Sequence, residues 1–155
     1  MVNKTKLDFI KTEAVSLLRT LKGDETPAWG KLNAQQMIEH LCDAFDDAAG
    51  LNNHKILTPP EQLDAYKNFM MSEKEFKPNT KNILMDENPA PAKMENIHTA
   101  LNQLQERIAI FESVFKDDEN KRIINPFFGE LNFEENVQLL HKHMRHHLRQ
   151  FKLID

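Results

Sequence analysis

Apolar positions recur at intervals of three and four in four stretches of the chain, the spacing of a helix with one buried face. The first stretch carries Leu7, Ile10, Ala14, Leu17 and Leu21 and is expected to stop at Gly23. The second opens at Asn33, whose distance to Gln36 is that of a capping box. It continues through Ala34, Met37, Ile38, Leu41, Ala44, Phe45 and Ala48 to Gly50. The third follows Pro89 and Pro91, with Met94, Ile97, Leu101, Leu104, Ile108, Phe111 and Phe115 in unbroken alternation. Such a seam belongs to a helix lying nearly parallel or antiparallel to its neighbours. The fourth starts at Asn132, with Glu135 in the capping position, and runs through Phe133, Val137, Leu140, Met144, Leu148 and Phe151. No stretch reads as a strand. The pattern predicts an all-α fold, a four-helix bundle.

The connections are unequal. Residues 51–91 separate the second and third helices, far more than the ~2–8 residues usual between bundle helices. A long crossover between helices 2 and 3 lets them run the same way. Within it, Thr58-Pro59-Pro60-Glu61 resembles a cap followed by prolines in a first turn, predicting a short helix from Glu61 to Met71. Residues 77–92 carry three prolines and little periodicity and are expected to be irregular.

Composition narrows the class. The 155 residues suit a single domain, 1–155, with 40% hydrophobic and 28% charged residues, an ordinary globular balance. Twenty Lys+Arg against 24 Asp+Glu leave a net charge of −4, which argues against nucleic acid as a partner. No apolar run approaches the ~20 residues of a membrane helix, and the opening MVNKTKLDFIKTEA lacks an export signal. A cytoplasmic location with no membrane partner is the expectation. Cys42 is the single cysteine, which excludes an internal disulfide and any CxxC motif. The absence of GxGxxG, GxxxxGK[ST] and GxSxG removes the common phosphate cradles and the nucleophile elbow.

The candidate chemistry lies in the histidines. Four of seven fall between His141 and His147, and His143 and His147 form a pair spaced i, i+4. That spacing stacks two imidazoles on one face, where they can grip one divalent ion. At ~100° per residue both sit on the inner flank of the last helix's apolar stripe. His146 points to the polar side and His141 leaves by the opposite flank. Three protein ligands suit an open catalytic site. His40, on the flank of the second helix's stripe, is the candidate third; His98 is a reserve, and His54 lies in a loop without partner spacing. Asp47, two turns after His40, could orient an imidazole as a hydrogen-bond acceptor. Cys42 faces nearly opposite to His40 and is discounted as a ligand. The plainer alternative is that these are interfacial histidines near a helix C-terminus, with Asp46-Asp47 and Asp117-Asp118-Glu119 as solvated faces. Trp29 is either a pocket wall or a cover for one end of the helices.

Three stretches together resemble the DinB superfamily: Trp29 to Leu41 (WGKLNAQQMIEHL), Pro126 to Leu131 (PFFGEL), and His143 to Phe151 (HMRHHLRQF). Within it they are most similar to a branch whose last helix carries an HHLRQF-type signature. The chain departs from that branch in having Asn125 before Pro126, no Trp early in the last helix, and Lys152 after Phe151. The resemblance implies a four-helix bundle and a divalent metal, zinc or nickel, held by His40, His143 and His147. It implies hydrolysis or thiol transfer on a small-molecule substrate, with a low-molecular-weight thiol as a candidate co-substrate. No serine, cysteine or carboxylate is placed as general base. The alternative is a non-catalytic helical protein that binds a ligand or partner, its metal structural or absent, with the third helix contributing to a homodimer seam.

Overall fold

The computed structural model describes residues 3–80 and 88–155. It is mostly helical, with one small two-stranded sheet. We label residues 4–18 α1, Ala34–Ala48 α2, Pro60–Met71 α3, Ile97–Val114 α4 and Phe133–Gln150 α5; β1 is Ile123–Asn125 and β2 is Gly129–Leu131. Both predicted capping boxes are formed, Asn33 with Gln36 and Asn132 with Glu135. Gly50, at φ +78°, lets the N–H groups of Gly50 and Leu51 return to the carbonyls of Asp47 and Asp46, closing α2. The helix in the crossover forms where the two prolines predict it.

Three details differ from the expectation. First, α1 contains a π-turn, Phe9–Glu13, between α-helical Lys4–Asp8 and Ala14–Leu18. The wider winding rotates the stripe that follows, so Val15 and Leu18 are buried while Leu17 stays half-buried. The helix also ends at Leu18, before Gly23. Second, α4 begins at Ile97, because Asn96 caps it through the Thr99 N–H and leaves Met94 in the preceding segment. Third, β1 and β2 pair antiparallel, Ile123 opposite Leu131. The Asn125 side chain accepts from the N–H groups of Phe127 and Phe128, and Gly129 at φ +87° completes the turn.

Cross-helix contacts fix the directions. Gln35 donates to the Met94 carbonyl, the Cys42 thiol points at the Ala100 carbonyl, and Arg107 pairs with Asp46. The numbers rise together, so α2 and α4 run parallel, as the crossover allows. Lys11 meets Glu112 while Arg19 reaches Asn102, so α1 opposes α4. The Trp29 turn preceding α2 contacts Gln150 at the end of α5, so α2 opposes α5. The shared interior includes Ile10, Leu18, Met37, Ile38, Leu41, Phe45, Leu104, Phe111, Phe115 and Met144, all under 5% exposed. Each contributes about 1.5–3 kcal/mol by leaving water. Among the described residues no helix is long and apolar enough to cross a membrane.

A second, smaller apolar cluster joins Met70 of α3 to Phe128, Leu131 and Leu139, with Phe76 and Phe127 against it. The crossover is pinned to it by polar contacts. Leu57 and Thr58 donate backbone N–H groups to the Pro126 carbonyl, and Thr58 Oγ1 donates to that of Phe127. At the far end of α3, Lys142 of α5 is only 4% exposed. Its ammonium donates to the carbonyls of Phe69, Ser72 and Lys74 and sits 4.5 Å from the Phe69 ring centroid. A lysine from one helix thus caps the C-terminus of another.

Candidate metal centre

The antiparallel crossing of α2 and α5 brings the middle of one helix against the last turns of the other. His143 and His147, one turn apart on α5, meet His40 of α2. His143 Nε2 lies 3.0 Å from His40 Nε2 and 3.0 Å from His147 Nε2. Ligand atoms of the three rings all fall within 4.8 Å of one another. The ring centroids stand 4.7–5.0 Å apart. His147 is buried; His40 and His143 are half-buried.

Burial dominates the electrostatics. It holds His40 down at about 4; the Asp47 charge opposes this and His146 reinforces it. Burial likewise holds His143 and His147 well below the ordinary histidine range, with the neighbouring rings adding to the effect. The three imidazoles are therefore neutral at pH 7, the form that offers a lone pair to a metal.

The arrangement fits a cation better than it fits protons. A ring nitrogen presents one in-plane direction, filled either by a hydrogen or by a lone pair. His143 Nε2 faces two other Nε2 atoms at hydrogen-bond distance, so a single hydrogen on it serves one contact and leaves the other unserved. A shared divalent ion serves all three. Nitrogens ~2.0–2.1 Å from one ion stand roughly 2.9–3.4 Å apart, a range that contains both 3.0 Å separations.

Several neighbours were not foreseen. The Gln150 side chain sits 2.7 Å from His147 Nδ1 and 3.0 Å from the Trp29 carbonyl. Gln150 is three residues after His147, hence on the same helix face, a spacing visible in the sequence once His147 is taken as a ligand. Phe76, from the crossover, presents its ring edge-on 6.5 Å from His143. Nothing in its local pattern marks it, since its position depends on where the crossover lands.

His146 corrects the expectation of a solvent-facing bystander. It is half-buried, 5.2 Å from the Trp29 ring and 6.0 Å from that of Phe76, because the crossover covers this side of α5. His141 lies against Phe9, and burial, helped by Lys6 and Arg145, lowers it to about 4. The Asp47 carboxylate accepts from His54 Nε2 at 2.8 Å and from Asn52 Nδ2, and reaches His40 as a through-space charge. His98 is exposed on α4 and outside the cluster. Cys42 is buried toward α4, its thiol pushed up to about 12 by burial, and is no ligand of this group.

No curated protein and no solved structure gives a significant match to the chain. The sequence profile of the DinB superfamily matches residues 12–151, a span that includes all three converging histidines. By that match, the chain belongs to the DinB superfamily.

Proposed function

We propose that this chain is a divalent-metal-dependent enzyme whose helices α1, α2, α4 and α5 form a four-helix bundle around a His40–His143–His147 site. The reaction proposed is hydrolysis of, or thiol transfer to, a small substrate, with zinc or nickel as the metal. The observation that carries the reading is the approach of three neutral Nε2 atoms to one another at the α2–α5 crossing. A divalent ion held by three neutral ligands keeps its full charge and supplies Lewis acidity, lowering the pKa of a water or a thiol toward neutrality.

The chain's own residues then bind and orient. His40, His143 and His147 furnish the ligand nitrogens. Phe76 and Trp29 line the flank through His143 and His146 and keep water off that side. Cys42, protonated and turned to the Ala100 carbonyl, cannot be the nucleophile, so a thiol in a transfer reaction has to arrive as a co-substrate.

Elemental analysis of untagged protein tests the site. About one equivalent of zinc or nickel is expected in the wild type and none in His143→Ala, whose helical circular dichroism is retained. Metal retained in His143→Ala removes that residue from the site. Chelation that unfolds the wild type assigns the ion a structural role instead, because its binding energy is then folding energy.

A further inference from the structure

We infer that Gln150 is a positioning residue that fixes the proton of His147 on Nδ1, and that the turn of residues 28–30 is what holds Gln150 in place. The inference rests on the metal-site reading for its purpose but not for its geometry. Gln150 is 3% exposed, and both ends of its amide are engaged. One end faces the Trp29 carbonyl at 3.0 Å, a group that only accepts; that end is therefore the NH₂. The oxygen must then be the atom 2.7 Å from His147 Nδ1, and because it too only accepts, Nδ1 carries the hydrogen. A neutral imidazole with its hydrogen on Nδ1 has a bare Nε2, and this is the nitrogen directed at His143.

The turn grips Gln150 from several directions. The Ala28 N–H donates to the Gln150 carbonyl at 2.7 Å, while Trp29 receives the side-chain NH₂. Gly30, at φ +76°, passes so close that a Cβ there would lie 3.1 Å from Gln150 Nε2. A bulkier residue at position 30 would press on the amide as well as strain the backbone. The chain of contacts runs from a surface turn, through one buried amide, to the ring nitrogen of a ligand. Left alone, a neutral imidazole can place its proton on either nitrogen, and only one choice leaves Nε2 free. Partners of this kind around metal-binding histidines typically govern affinity by 10–100-fold.

The test uses ¹⁵N-histidine-labelled, metal-stripped protein and zinc alone as the probe. In apo wild type at pH 7.5, two-bond ¹H–¹⁵N spectra are expected to show His147 protonated on Nδ1. In Gln150→Met, which preserves volume and helix propensity, the Nε2-protonated form should become populated, and zinc affinity measured against a competing chelator should fall by about 10–100-fold. Gln150→Glu keeps an acceptor facing Nδ1 and is expected to keep the wild-type tautomer; if Gln150→Met fails to fold, Gly30→Ala decides, because its Cβ pressing on the amide should populate the same Nε2-protonated form. An apo wild type with His147 protonated on Nε2, or a tautomer and affinity indifferent to residue 150, overturns the inference. If the wild type takes up neither zinc nor nickel, the proposed function fails, and the tautomer spectra still decide the role of Gln150.

Discussion

The two sides of α5 are held by opposite means. Toward α2, the helix presents uncharged rings, His143 and His147, whose nitrogens crowd a third ring with no charge to balance them. Toward the crossover it presents Lys142, an ammonium nearly sealed from solvent, with carbonyls of the α3 terminus around it. Burial lowers the Lys142 amine, with Glu75 and Glu73 opposing, yet it carries its charge through the range in which the imidazoles titrate. The ring contact therefore responds to acid, whereas the Lys142 ammonium already carries its proton. A polar residue facing away from the main core is as able to organise a second layer as to face water.

Acid acts most forcefully on the buried rings. Five imidazoles, those of His40, His141, His143, His146 and His147, are held below their ordinary value chiefly by burial. The unfolded chain then binds more protons than the folded one. The stability these rings contribute is fully present above pH 6.5 and is lost as pH falls toward about 4, where His40 and His141 titrate in the fold. The limiting slope is about 1.4 kcal/mol per ring per pH unit. Thermal melts of metal-free protein from pH 7.5 to 4.5 should show the decline; a flat profile contradicts neutral buried rings. Bound zinc should move the decline to lower pH, since protons and metal compete for the same nitrogens.

Lys142→Met attacks the other side. It removes the ammonium that bridges the carbonyls of Phe69, Ser72 and Lys74, the first two of which keep other donors, at a cost of about 1.5–3 kcal/mol in urea unfolding. Hydrogen exchange should rise in residues 60–76 while α2 stays protected. Equal loss of protection in α2 would show that the layers do not open separately. A smaller effect, about 1 kcal/mol, is expected from Asn125→Ala, which removes the acceptor that closes the β1–β2 turn under Leu57 and Thr58. An unchanged denaturation midpoint in that variant would mean the turn is held by Gly129 and the apolar cluster alone.

The same contrast explains what the sequence makes legible. The helices α2 and α5 and their capping boxes stand out because local rules suffice: an Asn, a Gln or Glu three residues on, then apolar residues at helical spacing. The histidine trio is legible because His143 and His147 share a face whatever they pack against, and His40 flanks the apolar stripe of its own helix. Gln150, Phe76 and the placement of His146 depend on where distant segments land, and no local pattern encodes that. Lys142 reads as a solvated lysine until α3 is laid over it. The hairpin is hidden for another reason, its strands being three residues each, too short for alternation to register. The π-turn in α1 shifts a stripe by one residue, a displacement that a fixed period cannot detect.

The parallel run of α2 and α4 puts a long stretch of chain between the partners of the triad. His40 and His143 are 103 positions apart. At ribosomal rates of ~5–20 residues per second, His40 is made roughly 5–20 s before its partners exist. On the proposed reading, capture of an ion by all three rings is thus a late event, possible only once His143 and His147 have been made. A metal at the proposed site could not template the first helices as they emerge; it could only latch them once the last helix had arrived.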